Sequence, residues 1–181
     1  MERILADLVS QTSFVVRRDV LSFVGGAFKV NNPLGEPIFY VKVAFNFRGD
    51  LHFLDGQNKK KELMVVSPRR AFDNLAIYDI VDTGRQERVG AVQRKPQKHI
   101  LTIWDRTDRE VGSIVKNTNS YSMAPAYRGV AGSVDVCFLK QHFNPVLPAM
   151  TAEFSLRSNP ADLDRRLFLA GILLVCTASG V

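Results

Sequence analysis

The chain has 181 residues, 46% of them hydrophobic, which suits one domain with a sizeable core and is too apolar for a disordered segment. Lys and Arg total 24 against 18 Asp and Glu, a formal net charge of +6 that favours anionic partners such as lipid headgroups over cationic ones. Cys137 and Cys176 lack a CxxC neighbour, which excludes the usual zinc spacing, and both lie in apolar contexts where a thiol is inert.

From the N-terminus, Ile4, Leu5, Leu8 and Val9 predict a short helix over about residues 2–9. Asp7 breaks that stretch, so it lacks the hydrophobic region of a signal peptide, and the expectation is a cytoplasmic protein with reduced thiols. From Thr12 the texture becomes β. Phe14–Arg18 and Asp19–Phe23 carry β-branched and aromatic residues, and Gly25-Gly26 reads as a turn.

A repeat follows. Phe28-Lys29-Val30-Asn31-Asn32 leads through Pro33-Leu34-Gly35 to Ile38–Val41. Leu51-His52-Phe53-Leu54-Asp55 leads through Gly56 and three lysines to Leu63–Val66. Tyr78-Asp79-Ile80-Val81-Asp82 leads through Thr83-Gly84 to Val89–Val92. Leu101-Thr102-Ile103-Trp104-Asp105 leads through Arg106-Thr107-Asp108 to Val111–Val115. Each unit places apolar residues four and two positions before an Asn or Asp, then turns and offers a second apolar strand. The anchors Asn32, Asp55, Asp82 and Asp105 are spaced by 23, 27 and 23 residues. Period-2 alternation, an Asx-type turn and a return strand define a hairpin, and the acids are expected to bond their own turns. Further on, Asn117–Ser120 reads as a loop, Val134–Phe138 and Met150–Leu156 as strands, and Asn144–Pro148 as a break. Ten to twelve strands are expected in all.

The last stretch is a helix, predicted over about residues 160–179. Asn159 is a good N-cap, Pro160 suits the first helical position, Asp162 complements the N-terminus and Gly180 is a stop signal. From Leu167 to Val181 there is no charged residue. A helix apolar all round must be buried. The uncharged run is 15 residues, short of the ~20 that span a bilayer. A series of antiparallel hairpins tends to close into a barrel, and a barrel this large needs filling. The expected fold is therefore mainly β, a closed antiparallel barrel of about twelve strands around the C-terminal helix, as one domain over residues 1–181. A membrane-inserted helix is the alternative. Arg165 and Arg166, at the start of the helix, are expected to seal the barrel mouth by pairing with Asp162, Asp164 or strand-end carboxylates.

Serial hairpins of the form apolar-x-apolar-x-Asp-x-x-Gly, followed by Asp162-x-Asp164-Arg165-Arg166-Leu167-x-x-Ala170-x-x-Leu173-Leu174-Val175, resemble the tubby C-terminal-like superfamily. Within it the pattern is most similar to the LURP-one-related and phospholipid scramblase branch, over about Phe14 to Ser179. The resemblance implies a closed barrel of about twelve strands wrapped around a hydrophobic C-terminal helix. Scramblases carry an acidic calcium-binding-like segment before that helix, whereas Lys140–Pro148 holds no carboxylate, so calcium dependence is not implied. Tubby-type domains bind phosphoinositide headgroups through basic residues on the barrel wall, but no local motif transfers those residues to this chain.

No catalytic constellation stands out. His52, His99 and His142 have no second ligand at metal spacing, and no phosphate loop or GxSxG elbow occurs. No enzyme activity, metal or cofactor is expected. The candidate anionic-ligand residues are Lys59, Lys60, Lys61, Arg69, Arg70, Arg94, Lys95 and Lys98, which fall in loops or beside them. If those loops gather, their cations would hold a phosphorylated headgroup. The simpler reading is a set of solvated, solubilising turns. The expected function is a non-catalytic module binding an anionic phospholipid, a phosphoinositide or a protein partner, peripheral to membranes at most. The alternative is a membrane-associated scramblase-like protein that uses the C-terminal helix. Nucleic acid is not an expected partner.

Overall fold

The computed structural model describes residues 13–18, 26–44, 49–70, 76–95, 100–117, 126–142, 149–154 and 163–178. Among them the fold is mainly β, with antiparallel strands and one C-terminal helix. The strands are β1 (Ser13–Arg18), β2 (Ala27–Asn31), β3 (Pro37–Val43), β4 (Leu51–Asp55), β5 (Glu62–Pro68) and β6 (Ile77–Asp82). They continue with β7 (Glu87–Lys95), β8 (Ile100–Asp105), β9 (Glu110–Lys116), β10 (Ala126–Ala131), β11 (Val134–His142) and β12 (Ala149–Phe154), and the helix is α1 (Arg165–Ala178). Each strand pairs with the next in sequence. β1 pairs both with β2, at Val16↔Val30, and with β12, at Phe14↔Ala152, so the hydrogen-bonded order returns to its start as a closed barrel.

The four sequence anchors build their turns with their own side chains. Asn32 Oδ1 accepts from the Glu36 amide at 2.8 Å. Asp55 Oδ1 accepts from Gln57 and Asn58, and Asp82 Oδ1 from Gly84 and Arg85. Asp105 Oδ1 accepts from Thr107 and Arg109. The apolar residues two and four positions earlier fill the core: Phe28 and Val30, Leu51 and Phe53, Leu101 and Ile103 are all buried. A short side chain that caps its own turn while its strand buries alternate residues is sufficient to fix each hairpin.

Two expectations are corrected. The helix begins at Arg165, not near residue 160, because Asp164 is the N-cap: its Oδ1 accepts the Arg166 amide at 3.0 Å and its carbonyl the Leu167 amide at 3.1 Å. β10 was not foreseen as a strand. The expected helix at 2–9, the strand at 19–23 and the cap at Asn159-Pro160 lie outside the described residues.

The helix is the core. Leu167, Phe168, Leu169, Ile172 and Leu173 are each at most 2% exposed. Burying a side chain of this size contributes about 1.5–3 kcal/mol. The helix approaches β7, β8 and β9 most closely. Those walls are made thin for it. A Cβ on Gly90 of β7 would stand 2.8 Å from Leu167, and one on Gly112 of β9 2.9 Å from Phe168. A Cβ on Gly129 of β10 would stand 3.0 Å from the same ring. The other side is thick, with Phe14, Phe28, Phe39 and Phe53 supplied by β1–β4. Phenylalanines on one side and missing side chains on the other set the helix off centre.

Candidate functional site: the cleft at the helix mouth

Antiparallel succession puts the turns after β2, β4, β6, β8 and β10 at one end of the barrel. The chain leaves β12 at this end and enters α1 there. Two of the hairpin turns and the first turn of α1 enclose a cleft of about 670 Å³. Its floor is apolar, formed by Val89, Val111, Leu163 and Leu167.

At its base Arg166 joins the helix to the wall. Its Nη1 donates to Asp82 Oδ2 at 2.6 Å, and its Nε and Nη2 donate to the Asp164 carboxylate. The Asp82 side chain is 4% exposed. Burial disfavours the guanidinium charge, yet Asp164 and Asp82 outweigh it and hold Arg166 above the ordinary arginine range. The expected sealing role of this arginine is met by Asp164 and by a strand-end carboxylate.

The β8–β9 turn forms the rim. Asp105 accepts from the Thr107 hydroxyl and the Arg109 amide, which pulls its carboxyl down to about 2. The turn is tied to the outer wall by a four-charge network. Arg69 holds Asp79 bidentately at 2.8 and 2.9 Å and reaches Asp108 at 3.2 Å. Arg88 donates to Asp79, to Asp108 and to the Arg106 carbonyl. Such multidentate pairs fix geometry as well as charge. Asp108 sits at φ 59° in this turn, between the exposed Arg106 and Arg109.

Most charges in the cleft are thereby neutralised, but Arg85 and Arg106 are not. Both are exposed, line the cleft and have no acid partner among the described residues. Arg109 meets Asp105 through one contact at 3.2 Å and leaves 77% of its side chain exposed. Glu87 is the lining carboxylate without a cation partner among the described residues. Cationic groups on a rim above an apolar floor suit an anion with an apolar body.

The structure distributes the sequence candidates differently from the expectation that their loops gather. Lys59, Lys60 and Lys61 lie in the β4–β5 turn, at the helix-mouth end, with the Lys59 ammonium 4.4 Å from the Tyr40 ring centre. Arg69 and Arg70 follow β5, and Arg94 and Lys95 close β7, at the opposite end. These four flank the start of β6, where the Arg69 amide donates to Ile77 and the Arg94 amide to Ala76. Arg69 is consumed by Asp79 and Asp108, so it is no free anion receptor. Lys98 lies outside the described residues. Sequence reasoning passed over Arg85, Arg106 and Arg109, although each follows an anchor aspartate by one to four residues.

Both thiols are buried and neither is in a disulfide, and burial pushes each up to about 12. Among the described residues no group of three or more His, Cys, Asp and Glu is placed to hold a metal ion. No helix among them is long and apolar enough to cross a membrane.

No family model and no curated protein matches the chain. A solved structure of the protein AT5G01750 from Arabidopsis thaliana is similar in fold, with a TM-score of 0.56 and 11% sequence identity. The match covers 94% of this chain and 93% of that one. At this identity the likeness concerns the fold alone.

Proposed function

We propose that this protein is a cytoplasmic, non-catalytic binding module of the tubby C-terminal-like type, in the LURP-one-related and scramblase-like branch. Its closed barrel uses the C-terminal helix as core and takes a phosphate-bearing anionic ligand, a phospholipid headgroup, in the cleft at the helix mouth. The carrying observation is the pair Arg85 and Arg106, both lacking an acid partner among the described residues, above the floor of Val89, Val111, Leu163 and Leu167. A guanidinium fork binds phosphate oxygens in a defined geometry, and an apolar floor supports the uncharged part of the ligand. The described lining holds no histidine, cysteine, serine or lysine, and its one hydroxyl, on Thr107, is tied into its own turn by Asp105. Complete burial of Phe168, Leu169, Ile172 and Leu173 weighs against the scramblase-like alternative, which needs the helix to leave the barrel.

The test is calorimetric titration with inositol trisphosphate as a soluble headgroup. Replacing both Arg85 and Arg106 by Ala should weaken binding at least tenfold, since a hydrogen bond to a charged group contributes about 1.5–3 kcal/mol. Unchanged affinity in a folded variant would rule out the cleft.

A further inference from the structure

We propose that the helix-mouth end of the barrel is a membrane-facing surface, on which Leu34 inserts among anionic headgroups and Lys60 and Lys61 supply the electrostatic contact. Leu34 is 85% exposed at the tip of the β2–β3 turn. That tip is held outward. The Gly35 amide donates to the Asn32 carbonyl at 3.0 Å and the Asn32 amide to the Glu36 carbonyl at 2.9 Å, with Gly35 at φ 87°. Pro33 fixes its own φ and stiffens the turn further. A single exposed leucine is ordinary on a soluble surface. Its setting here is not.

The described turns at this end carry Lys59, Lys60, Lys61, Arg85, Arg106 and Arg109. Of the acids in or beside those turns, Glu36 accepts from the Asn32 amide group at 2.7 Å, Asp108 lies between Arg69 and Arg88, Glu62 meets His52, Asp82 meets Arg166 and Asp105 meets Arg109. Glu87 and Glu110 have no cation partner among the described residues and belong to the β6–β7 and β8–β9 hairpins rather than to the lysine turn. Lys60 and Lys61 are exposed, with no acid partner among the described residues. The leucine tip and the lysine turn are neighbours, because β3 pairs with both β2 and β4 and the Gly56 amide donates to the Ile38 carbonyl at 3.0 Å. An apolar tip beside a cationic turn matches a surface that is anionic outside and apolar beneath, which is the chemistry of an anionic lipid leaflet. A soluble phosphorylated ligand has no use for Leu34. Docked in this way, the barrel turns its cleft toward the headgroups. The inference rests on the proposed headgroup ligand and names the membrane as its source.

The experiment is flotation of the full chain with vesicles of phosphatidylcholine alone and of phosphatidylcholine mixed with phosphatidylserine. The wild type should float with the anionic vesicles and hardly with the neutral ones. Leu34→Ser and Lys60→Gln/Lys61→Gln alter only exposed side chains and should leave the thermal transition unchanged. Anionic-vesicle affinity should fall about fivefold per lysine neutralised, and by a comparable factor for Leu34→Ser. Both variants should keep wild-type affinity for inositol trisphosphate, because neither touches the cleft. Wild-type vesicle affinity in both variants overturns the inference. A wild type that binds inositol trisphosphate but no anionic vesicle also overturns it, while the cleft reading stands. Leu34-dependent vesicle binding without affinity for inositol trisphosphate supports the membrane surface and sinks the cleft.

Discussion

Adding one methyl group at Gly112 tests whether the helix is seated against β9. The new Cβ would lie 2.5 Å from the Val130 carbonyl oxygen and 2.9 Å from Phe168 Cζ. Both are about 1 Å inside a comfortable nonbonded separation. The ring can turn slightly, whereas the carbonyl belongs to backbone at the end of the β9–β10 ladder, whose last pairs are Ile114↔Gly129 and Ser113↔Val130, and it gives less readily. Overpacking of this kind costs about 1–3 kcal/mol, and the lost backbone freedom of the unfolded chain returns about 0.4–1 kcal/mol. The expected net loss for Gly112→Ala is therefore about 1–2 kcal/mol, or a fall in Tm of roughly 2–8 °C for a domain of this size. Urea unfolding followed by tryptophan fluorescence and circular dichroism reads it as a lower midpoint at unchanged slope. Gly171→Ala is the control. Its Cβ meets the tip of Ile114 at 2.7 Å, a side chain that can move, and alanine gains about 1 kcal/mol of helix propensity. It should lie nearer to neutral. A Gly112→Ala protein as stable as wild type would refute the close seating.

Leu173→Asp should abolish cooperative folding, because an unpaired carboxylate at a fully buried position costs several kcal/mol; a soluble variant with a sharp near-ultraviolet transition would show that the helix is not the core. Acid should loosen the four-charge network. Burial opposes ionisation of Asp79, but hydrogen bonds from Arg69 and Arg88 prevail and hold its carboxyl below the ordinary 3.8. A depressed folded value means that the stabilisation is complete above the unfolded value and lost as pH falls through the folded one. Asp79→Asn should therefore flatten stability against pH below about 4, and an acid limb identical to wild type would contradict the network's role.

The hairpins were legible because each carries its instructions locally. Asn32, Asp55, Asp82 and Asp105 cap their own turns, and the apolar residues before them alternate at the period of a strand. β10 was not legible for the converse reason. Ala126-Tyr127-Arg128-Gly129-Val130-Ala131 ends in a tight turn at Gly132, φ 59°, with no capping acid, and Gly129 reads as a strand breaker. The sulfur of Cys137 on the paired strand and the ring of Phe168, supplied from the far end of the chain, together explain that glycine. The helix start was misplaced because Asn159, Pro160 and Asp162 are all plausible caps in sequence. Asp164 also meets Arg166, which in turn meets Asp82, and that second bond spans 84 residues. The cleft was hidden in the same way. Arg85, Arg106 and Arg109 look like solubilising turn residues until Leu163 and Leu167 put an apolar floor beneath them. The lysine and arginine clusters that stood out in sequence are divided between the two ends by strand alternation.

The most direct measurement is an amide chemical-shift map of the protein titrated with inositol trisphosphate. The expected result is a set of perturbed amides confined to Thr83–Arg88, Asp105–Val111 and Leu163–Leu167, saturating with a single affinity. Shifts centred instead on Arg70, Arg94 and Lys95 at the opposite end, or no shifts at all, would contradict an anion site at the helix mouth.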